Sequence, residues 1–169
     1  MIGTYFAPKR SYEFCNAGHP PPLLYRAATE TWTVLDTAAS TALDNSPGLP
    51  LGIDAATKYA QQTVTLNHGD AVLTYSDSVI ESVAASGALL MTEGLLDIVG
   101  SISMGNPERL IAQLVATIRD LAPDNLAGDD TTIMLCQATD SKPSLKDNLL
   151  APMRLLRRAS DNTTLAGLQ

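Results

Sequence analysis

Three aspartates, Asp77, Asp129 and Asp130, have side chains that could bind a metal ion. Asp77 follows the continuous apolar segment 71–75, which is typical of a strand buried on both faces. Asp129 and Asp130 precede a second apolar segment, 132–135. Carboxylates at the mouths of rigid, dry strands are costly unless their charge is neutralised, and Mg²⁺ and Mn²⁺ prefer oxygen ligands. The positions are compatible with a divalent metal site, but an aspartate at a strand end is more often a turn former or a helix cap than a ligand.

The apolar patterns predict the elements that would position these aspartates. Strands are predicted at residues 2–6, 12–16, 23–26, 31–35, 59–66, 71–75 and 131–137. After residue 78 the pattern becomes helical, with one apolar stripe over residues 95–102. A second helix has a clear start, because Asn106 can cap it and Pro107 suits its first position. Strands in the first half followed by helices indicate an α+β fold.

Length and composition are consistent with one globular domain followed by a tail. The chain has 169 residues, of which 45% are hydrophobic, enough for one core. The character of the sequence changes at about residue 140, where Ser-Lys-Pro-Ser at 141–144 resembles a linker. A short helix is predicted at 149–158, followed by a disordered tail. The predicted organisation is therefore a domain over 1–139 and a linker with a C-terminal tail over 140–169.

Charge, apolar runs and cysteine spacing indicate which partners and which cellular compartment to expect. The formal net charge of −7 gives no positive field to attract nucleic acid. No apolar run reaches membrane-spanning length, and the N-terminus lacks the layout of a signal peptide. Cys15 and Cys136 are outside any zinc-type spacing and are interpreted as buried, reduced thiols. We therefore expect a cytoplasmic protein that binds neither nucleic acid nor a membrane.

Five segments, in order, resemble the PPM superfamily of metal-dependent protein phosphatases, and most closely its bacterial SpoIIE and RsbU branch. They are Asn-Ala-Gly-His-Pro-Pro at 16–21, Leu-Pro-Leu-Gly-Ile at 49–53, Leu-Asn-His-Gly-Asp at 66–70, Tyr-Ser-Asp-Ser-Val-Ile-Glu at 75–81 and Gly-Asp-Asp-Thr-Thr-Ile at 128–133. The resemblance covers residues 1 to about 138, the C-terminal part of such a domain. It implies a partial α/β-β/α sandwich, in which antiparallel sheets are flanked by helices.

The resemblance also implies a site and a reaction. In the family, two Mn²⁺ or Mg²⁺ ions activate a water that attacks a phosphoserine or phosphothreonine. Asp77 and Asp129 match metal ligands of that catalytic site. Asp130 and Thr132 match residues that do not bind the metal but orient its ligands. Ser78, which follows Asp77, is grouped with them. The implied substrate is a phosphorylated anti-sigma-factor antagonist of the STAS fold, in bacterial signalling, with a possible upstream sensor domain.

Two features depart from the family pattern. The family's Asp-containing, Gly-rich N-terminal segment, whose aspartate bridges both metals, has no counterpart in this chain. Two aspartates alone cannot offset the repulsion between two cations, so at most one weakly bound ion is expected. Ser78 stands where the family has glycine, and it would strain the turn if its φ were positive. These departures leave open a second hypothesis, a non-catalytic, degenerate or truncated protein-binding module.

Overall fold

The computed structural model describes residues 1–35 and 49–140, which form two antiparallel sheets and three α-helices. The sequence also predicts a polar, mobile stretch at 38–47, and this segment and the helix predicted at 149–158 lie outside the described residues. The division at residue 140 stays a prediction. The strands are β1 Ile2–Phe6, β2 Ser11–Cys15, β3 Leu23–Arg26, β4 Thr31–Val34, β5 Gln61–Thr65, β6 Ala71–Tyr75 and β7 Ile133–Gln137. The helices are α1 Asp77–Ile80, α2 Met91–Ser101 and α3 Pro107–Leu121. This α+β architecture confirms the predicted fold class.

The first sheet has the strand order β1-β2-β5, and the second has the order β4-β3-β6-β7. In β2 the alternating pattern buries Tyr12 and Phe14 on one face, and these rings lie 5.7 Å apart. They pack with residues of the second sheet and its flanks into one core between the two sheets. The buried members of this core are Tyr12, Phe14, Leu24, Leu66, Val72 and Ala138.

A larger core lies on the other face of the second sheet, where α2 and α3 pack. Leu23 and Leu73 are paired across β3 and β6, and both are fully buried there. The helices contribute apolar side chains at helical spacing, including Leu110, Leu114 and Ile118 of α3. Because both faces of β6 are covered, all five of its residues are buried, as the apolar run predicted.

The last strand corrects two predictions. Residues 131–137 were expected to form a buried strand, but β7 is the edge of its sheet and Met134 is 48% exposed. Cys136, in this edge strand, is therefore exposed. Cys15, in β2, is half-buried, so neither cysteine is in a core, and both thiols are unpaired. An apolar run reports the character of the side chains, and it is the strand order that decides whether both faces are covered.

The start of α3 corrects a detail of the sequence analysis. Asn106 occupies the N-cap position and Pro107 the first turn, as expected. The Asn106 side chain, however, makes no capping hydrogen bond; its backbone carbonyl accepts one from the Arg109 N–H at 3.0 Å instead. The helix therefore owes its position to the apolar stripe rather than to a side-chain cap.

An ionic cluster joins the two sheets at the start of β6. The Asp70 carboxylate accepts hydrogen bonds from Arg26 Nη1 at 2.8 Å and from the backbone N–H groups of Ala27 and Asn67, each at 2.9 Å. Arg26 also donates to the carbonyl of Thr65 in the first sheet at 2.8 Å. Burial alone raises the pKa of Asp70, but these hydrogen bonds outweigh it and hold the pKa below its usual value. Asp70 is thus a structural anion at the end of β6 opposite to Asp77.

Across the described parts of the chain, no helix has the length and apolar character that crossing a membrane requires.

Candidate metal centre

The candidate site lies where β6 ends and β7 begins. These two strands are antiparallel neighbours, with Tyr75 paired to Ile133, so the chain leaving β6 meets the chain entering β7. Asp77 comes two residues after the end of β6 and is the first residue of α1. Asp129 comes four residues before β7. The strand pairing therefore places the two aspartates on adjoining segments.

Backbone and side-chain hydrogen bonds hold these two segments together beyond the strand pair. The Ser76 N–H donates to the Thr132 carbonyl at 2.9 Å, and the Thr132 N–H donates to Ser76 Oγ at 3.0 Å. Ser76 occupies the N-cap position of α1 but makes no side-chain cap to that helix. Its hydroxyl instead connects the Asp77 segment to the Asp129 segment.

The carboxylates themselves are exposed, which corrects the argument from burial. Asp77, Asp129 and Asp130 are all solvent-accessible, as is Thr132. One oxygen of Asp77 accepts the Ser78 N–H at 3.0 Å, and one oxygen of Asp129 accepts the Asp130 N–H at 2.7 Å. Water hydrates these exposed carboxylates, so they carry no desolvation cost that a cation would have to offset. The case for a metal rests on the placement of the oxygens.

Ser78 does not strain the site. Among the non-glycine residues that the structure describes, positive φ values occur at Arg10, Glu30, Met91 and Leu126, and Ser78 lies inside α1. A side chain at this position is therefore compatible with the helical backbone.

The Ser78 hydroxyl is buried and has polar neighbours on both segments. It lies 2.9 Å from Ser76 Oγ, 3.2 Å from Thr131 Oγ1 and 3.4 Å from the Asp130 carbonyl oxygen. The family's glycine has no atom that could make these contacts.

A cavity of about 430 Å³ adjoins the aspartates, between residues 78–83 and 122–129, and its walls include Ser78, Glu81 and Asp129. Asn125 fixes the two walls to each other. Its side chain accepts the Val83 N–H at 2.8 Å and donates to the carbonyls of Val83 at 2.9 Å and Ile118 at 2.8 Å. The cavity is thus bounded by segments that hydrogen bonds hold in place.

The loop at residues 16–22 lies at the same end of the second sheet. The buried Tyr75 hydroxyl donates to the Pro21 carbonyl at 2.7 Å. Burial raises the pKa of Tyr75 to about 12, with a smaller opposing effect from Thr92 and a further increase from Glu93. Within the loop, the Asn16 amide accepts the His19 N–H at 2.9 Å and donates to the His19 carbonyl at 2.8 Å.

The described residues offer a limited donor set for a metal. Carboxylate oxygens suit Mn²⁺ and Mg²⁺, and Asp77 and Asp129 each have one oxygen outside the local N–H contact. In residues 1–35 and 49–140, no group of three or more histidine, cysteine, aspartate or glutamate side chains could hold an ion. In these residues Asp77 and Asp129 could therefore supply at most part of the ligand set of an ion.

Two positioning residues were absent from the sequence analysis. Ser76 gave a weak signal, as a serine directly before a helix-starting aspartate. Asn125 gave none, because its three hydrogen bonds reach residues 7 and 42 positions away in the sequence. Long-range polar contacts depend on how segments are placed in space, which no local pattern encodes.

Comparison with known proteins identifies the family. The family described as Stage II sporulation protein E (SpoIIE) matches residues 1–139. The structure of the RsbU and RsbW domains of Rv1364c from Mycobacterium tuberculosis is 26% identical in sequence, with a TM-score of 0.65. That alignment covers 83% of this chain and 36% of the other.

Two further structures have the same fold. The Mn-presoaked phosphatase domain of SpoIIE from Bacillus subtilis has a TM-score of 0.62 at 12% identity, over 85% of this chain and 57% of that one. The SiaA-PP2C domain of Pseudomonas aeruginosa has a TM-score of 0.56 at 19% identity, over 76% and 46%. The chain thus spans less than two thirds of each of these three structures. The fold is that of PP2C-type phosphatase domains, and the chain belongs to the SpoIIE family.

Proposed function

We propose that this chain carries part of the site of a metal-dependent phosphoserine and phosphothreonine protein phosphatase. Asp77 and Asp129 would bind the ion, and Asp130 and Thr132 would orient these ligands. The observation that carries the proposal is the pair of hydrogen bonds between Ser76 and Thr132, which holds the two aspartate segments side by side. Membership of the SpoIIE family supports the reaction type.

The chemical roles follow from the donor types. A divalent ion, when bound, lowers the pKa of a coordinated water and offsets charge on phosphoryl oxygens. The two aspartates supply hard oxygen ligands at exposed positions, where a phosphoprotein can approach. Thr132 fixes the backbone between Asp129 and β7 through its bonds to Ser76. Two carboxylates bind one ion weakly, so a second ion would need a further ligand.

The substrate and setting that we propose come from the family resemblance. The substrate is a phosphorylated STAS-type anti-sigma-factor antagonist, in cytoplasmic bacterial signalling under the control of a sensor domain. The Mycobacterium tuberculosis relative contains both an RsbU and an RsbW domain, and the Pseudomonas aeruginosa relative contains a PP2C domain. These relatives support a regulatory phosphatase rather than a metabolic one.

Phosphate release tests the proposal. A phosphorylated STAS-type protein and p-nitrophenyl phosphate are incubated with the chain, and with a version extended upstream on its gene, with Mn²⁺ or EDTA. We expect Mn²⁺-dependent release that Asp77→Asn and Asp129→Asn abolish and that Asp97→Asn, on the exposed face of α2, leaves unchanged.

The two chain lengths separate the hypotheses. Activity in the extended version alone would place a further ligand outside this chain. Absence of release from both versions, with binding of the phosphoprotein retained, would replace the proposal by the non-catalytic binding module.

A further inference from the structure

Ser78 directly follows Asp77, and its hydroxyl contacts residues 130 and 131 of the Asp129 segment. Its side chain is 9% exposed, and it sits in the first turn of α1 directly after Asp77. A buried hydroxyl needs a hydrogen-bond partner. The partners that the structure provides are on both sides of the site.

The donors and acceptors around Ser78 form a consistent chain. The Thr132 N–H donates to Ser76 Oγ at 3.0 Å. Ser76 Oγ then donates to Ser78 Oγ at 2.9 Å, and Ser78 Oγ donates to Thr131 Oγ1 at 3.2 Å. This arrangement takes Ser76 as the donor of the serine pair, and it gives the hydroxyl proton of each serine an acceptor. The chain starts on the Asp129 segment, crosses the Asp77 segment through two serines and returns to the Asp129 segment.

A glycine at position 78 would break this path in the middle. Ser76 would keep its bond from Thr132 N–H and its longer contacts to the carbonyl oxygens of Thr132 and Asp130, at 3.5 and 3.4 Å. The link to Thr131 would be lost, because it passes through Ser78 Oγ. The segment that carries Asp129 would then be held to the Asp77 segment by the contacts of Ser76 alone.

We propose that Ser78 is a positioning residue, whose hydroxyl bridges the two aspartate segments and sets the separation of the Asp77 and Asp129 ligands before an ion arrives. The proposal rests on the proposed metal-dependent function. With two protein ligands, the affinity for an ion depends strongly on how much order the ligands must gain on binding. Groups behind metal ligands typically change metal affinity by about 10–100-fold, and for one bridging hydroxyl we expect about tenfold.

Ser82 provides a matched control. Its hydroxyl is also buried, at 4% exposure, and it donates to the Ser78 carbonyl at 3.0 Å. That bond stays on one side of the site, since it joins two residues of the same segment. Ser82→Ala therefore removes a buried hydroxyl of equal size without cutting the bridge to Thr131.

Two measurements on the full chain test the proposal. Mn²⁺ affinity is measured by electron paramagnetic resonance for the wild type, Ser78→Ala, Ser78→Gly, Ser78→Thr and Ser82→Ala. Hydrogen exchange of the Thr132 amide is measured on the same proteins without metal. We expect Ser78→Ala and Ser78→Gly to weaken Mn²⁺ binding about tenfold and to speed Thr132 exchange by a similar factor. Ser78→Thr keeps the hydroxyl, and it and Ser82→Ala should stay within about twofold of the wild type.

The outcomes separate this proposal from the function on which it rests. Equal Mn²⁺ affinity in the wild type and in both Ser78→Ala and Ser78→Gly would overturn the positioning role alone. Equal losses of Mn²⁺ affinity in Ser78→Thr and Ser78→Ala would also overturn the positioning role, because the hydroxyl would then have no effect. If the wild type binds no Mn²⁺, or if Asp129→Asn binds Mn²⁺ as well as the wild type does, the proposed function is refuted. The metal-positioning role of Ser78 is then refuted as well.

Discussion

Replacing Asp70 by asparagine tests whether the ionic cluster at the start of β6 holds the two sheets together. The carboxylate is 1% exposed and accepts three hydrogen bonds, from Arg26, Ala27 and Asn67. An asparagine has one oxygen in place of two, so at least one buried backbone N–H loses its acceptor. The substitution changes the shape little, and the effect therefore reports charge and hydrogen bonding.

The magnitude follows from these contacts. A buried N–H without an acceptor costs about 1–3 kcal/mol, and removing the negative charge of the acceptor from each of the other two bonds costs about 1 kcal/mol. The Arg26 side chain is 35% exposed, so water screens its share. We expect Asp70→Asn to lower the free energy of unfolding by about 3 kcal/mol. With a urea m-value of about 2 kcal/mol per molar, the midpoint falls by about 1.5 M.

Urea titration followed by the fluorescence of Trp32, the single tryptophan, measures this change. Trp32 lies in β4 and is 8% exposed, so unfolding changes its surroundings. Asp97→Asn is the control, because Asp97 lies on the exposed face of α2 and should shift stability by less than about 0.5 kcal/mol. Equal midpoints for Asp70→Asn and Asp97→Asn would refute the structural role of the cluster.

The same substitution has a pH signature. The hydrogen bonds hold the folded-state pKa of Asp70 below its usual value, whereas in the unfolded chain it returns to about 3.9. A depressed pKa stabilises the folded protein above the unfolded value, and this contribution disappears as pH falls through the folded value. The stability difference between the wild type and Asp70→Asn should therefore shrink below about pH 4. A difference that is constant down to acid pH would contradict the linkage.

Three further predictions concern other contacts around the site. Asn125→Ala removes three buried hydrogen bonds and should cost about 2–3 kcal/mol in urea titration, whereas Asp124→Ala, at the exposed neighbour, should cost less than about 0.5 kcal/mol. Gly18→Ala, at φ +73° with its added Cβ within 2.8 Å of a proline, should destabilise by about 1–3 kcal/mol, while Gly100→Ala, in an open helical position, should stabilise by about 0.5 kcal/mol. Tyr75→Phe should lose about 1 kcal/mol at neutral pH. It should also lack the stability loss that the wild type shows as pH rises from 10.0 to about 12, because the raised pKa keeps the folded tyrosine neutral while the unfolded one ionises. A Gly100→Ala protein less stable than Gly18→Ala, or identical alkaline unfolding with and without the Tyr75 hydroxyl, would contradict these assignments.

Local patterns were sufficient to predict most of the elements. The β6 limits were predicted correctly, because a run of five apolar residues bounded by turns has few other interpretations. The start of α3 at Pro107 was also correct. β5 begins two residues later and ends one residue earlier than predicted, and α2 begins four residues before the apolar stripe 95–102, since element ends depend on neighbouring strands and turns rather than on propensity.

The site could be predicted only in part. The sequence indicated which aspartates stand at strand ends, but it gave the wrong environment for them, because exposure depends on what surrounds the end of each strand. The contacts of Ser78 reach across 52 and 53 positions of sequence, and the sequence left open whether the departure from glycine strains the turn. In the structure the added hydroxyl meets acceptors instead. The effect of a substitution inferred from backbone preference can therefore be opposite to the effect inferred from the contacts of the new side chain.

The strand β6 lies between a carboxylate that stabilises the fold, Asp70, and a carboxylate of the proposed metal site, Asp77. Asp70 precedes the strand and is buried among donors, so its charge is committed to holding the sheets. Asp77 follows the strand and is exposed, so its charge remains available to a ligand. The five residues of β6 between them are all buried and span about 17 Å. Because interiors are close-packed, such a strand holds its two ends in a fixed relation. Two carboxylates seven residues apart can therefore have unrelated roles, and the chemistry of each is decided by the donors and the solvent around it rather than by its type.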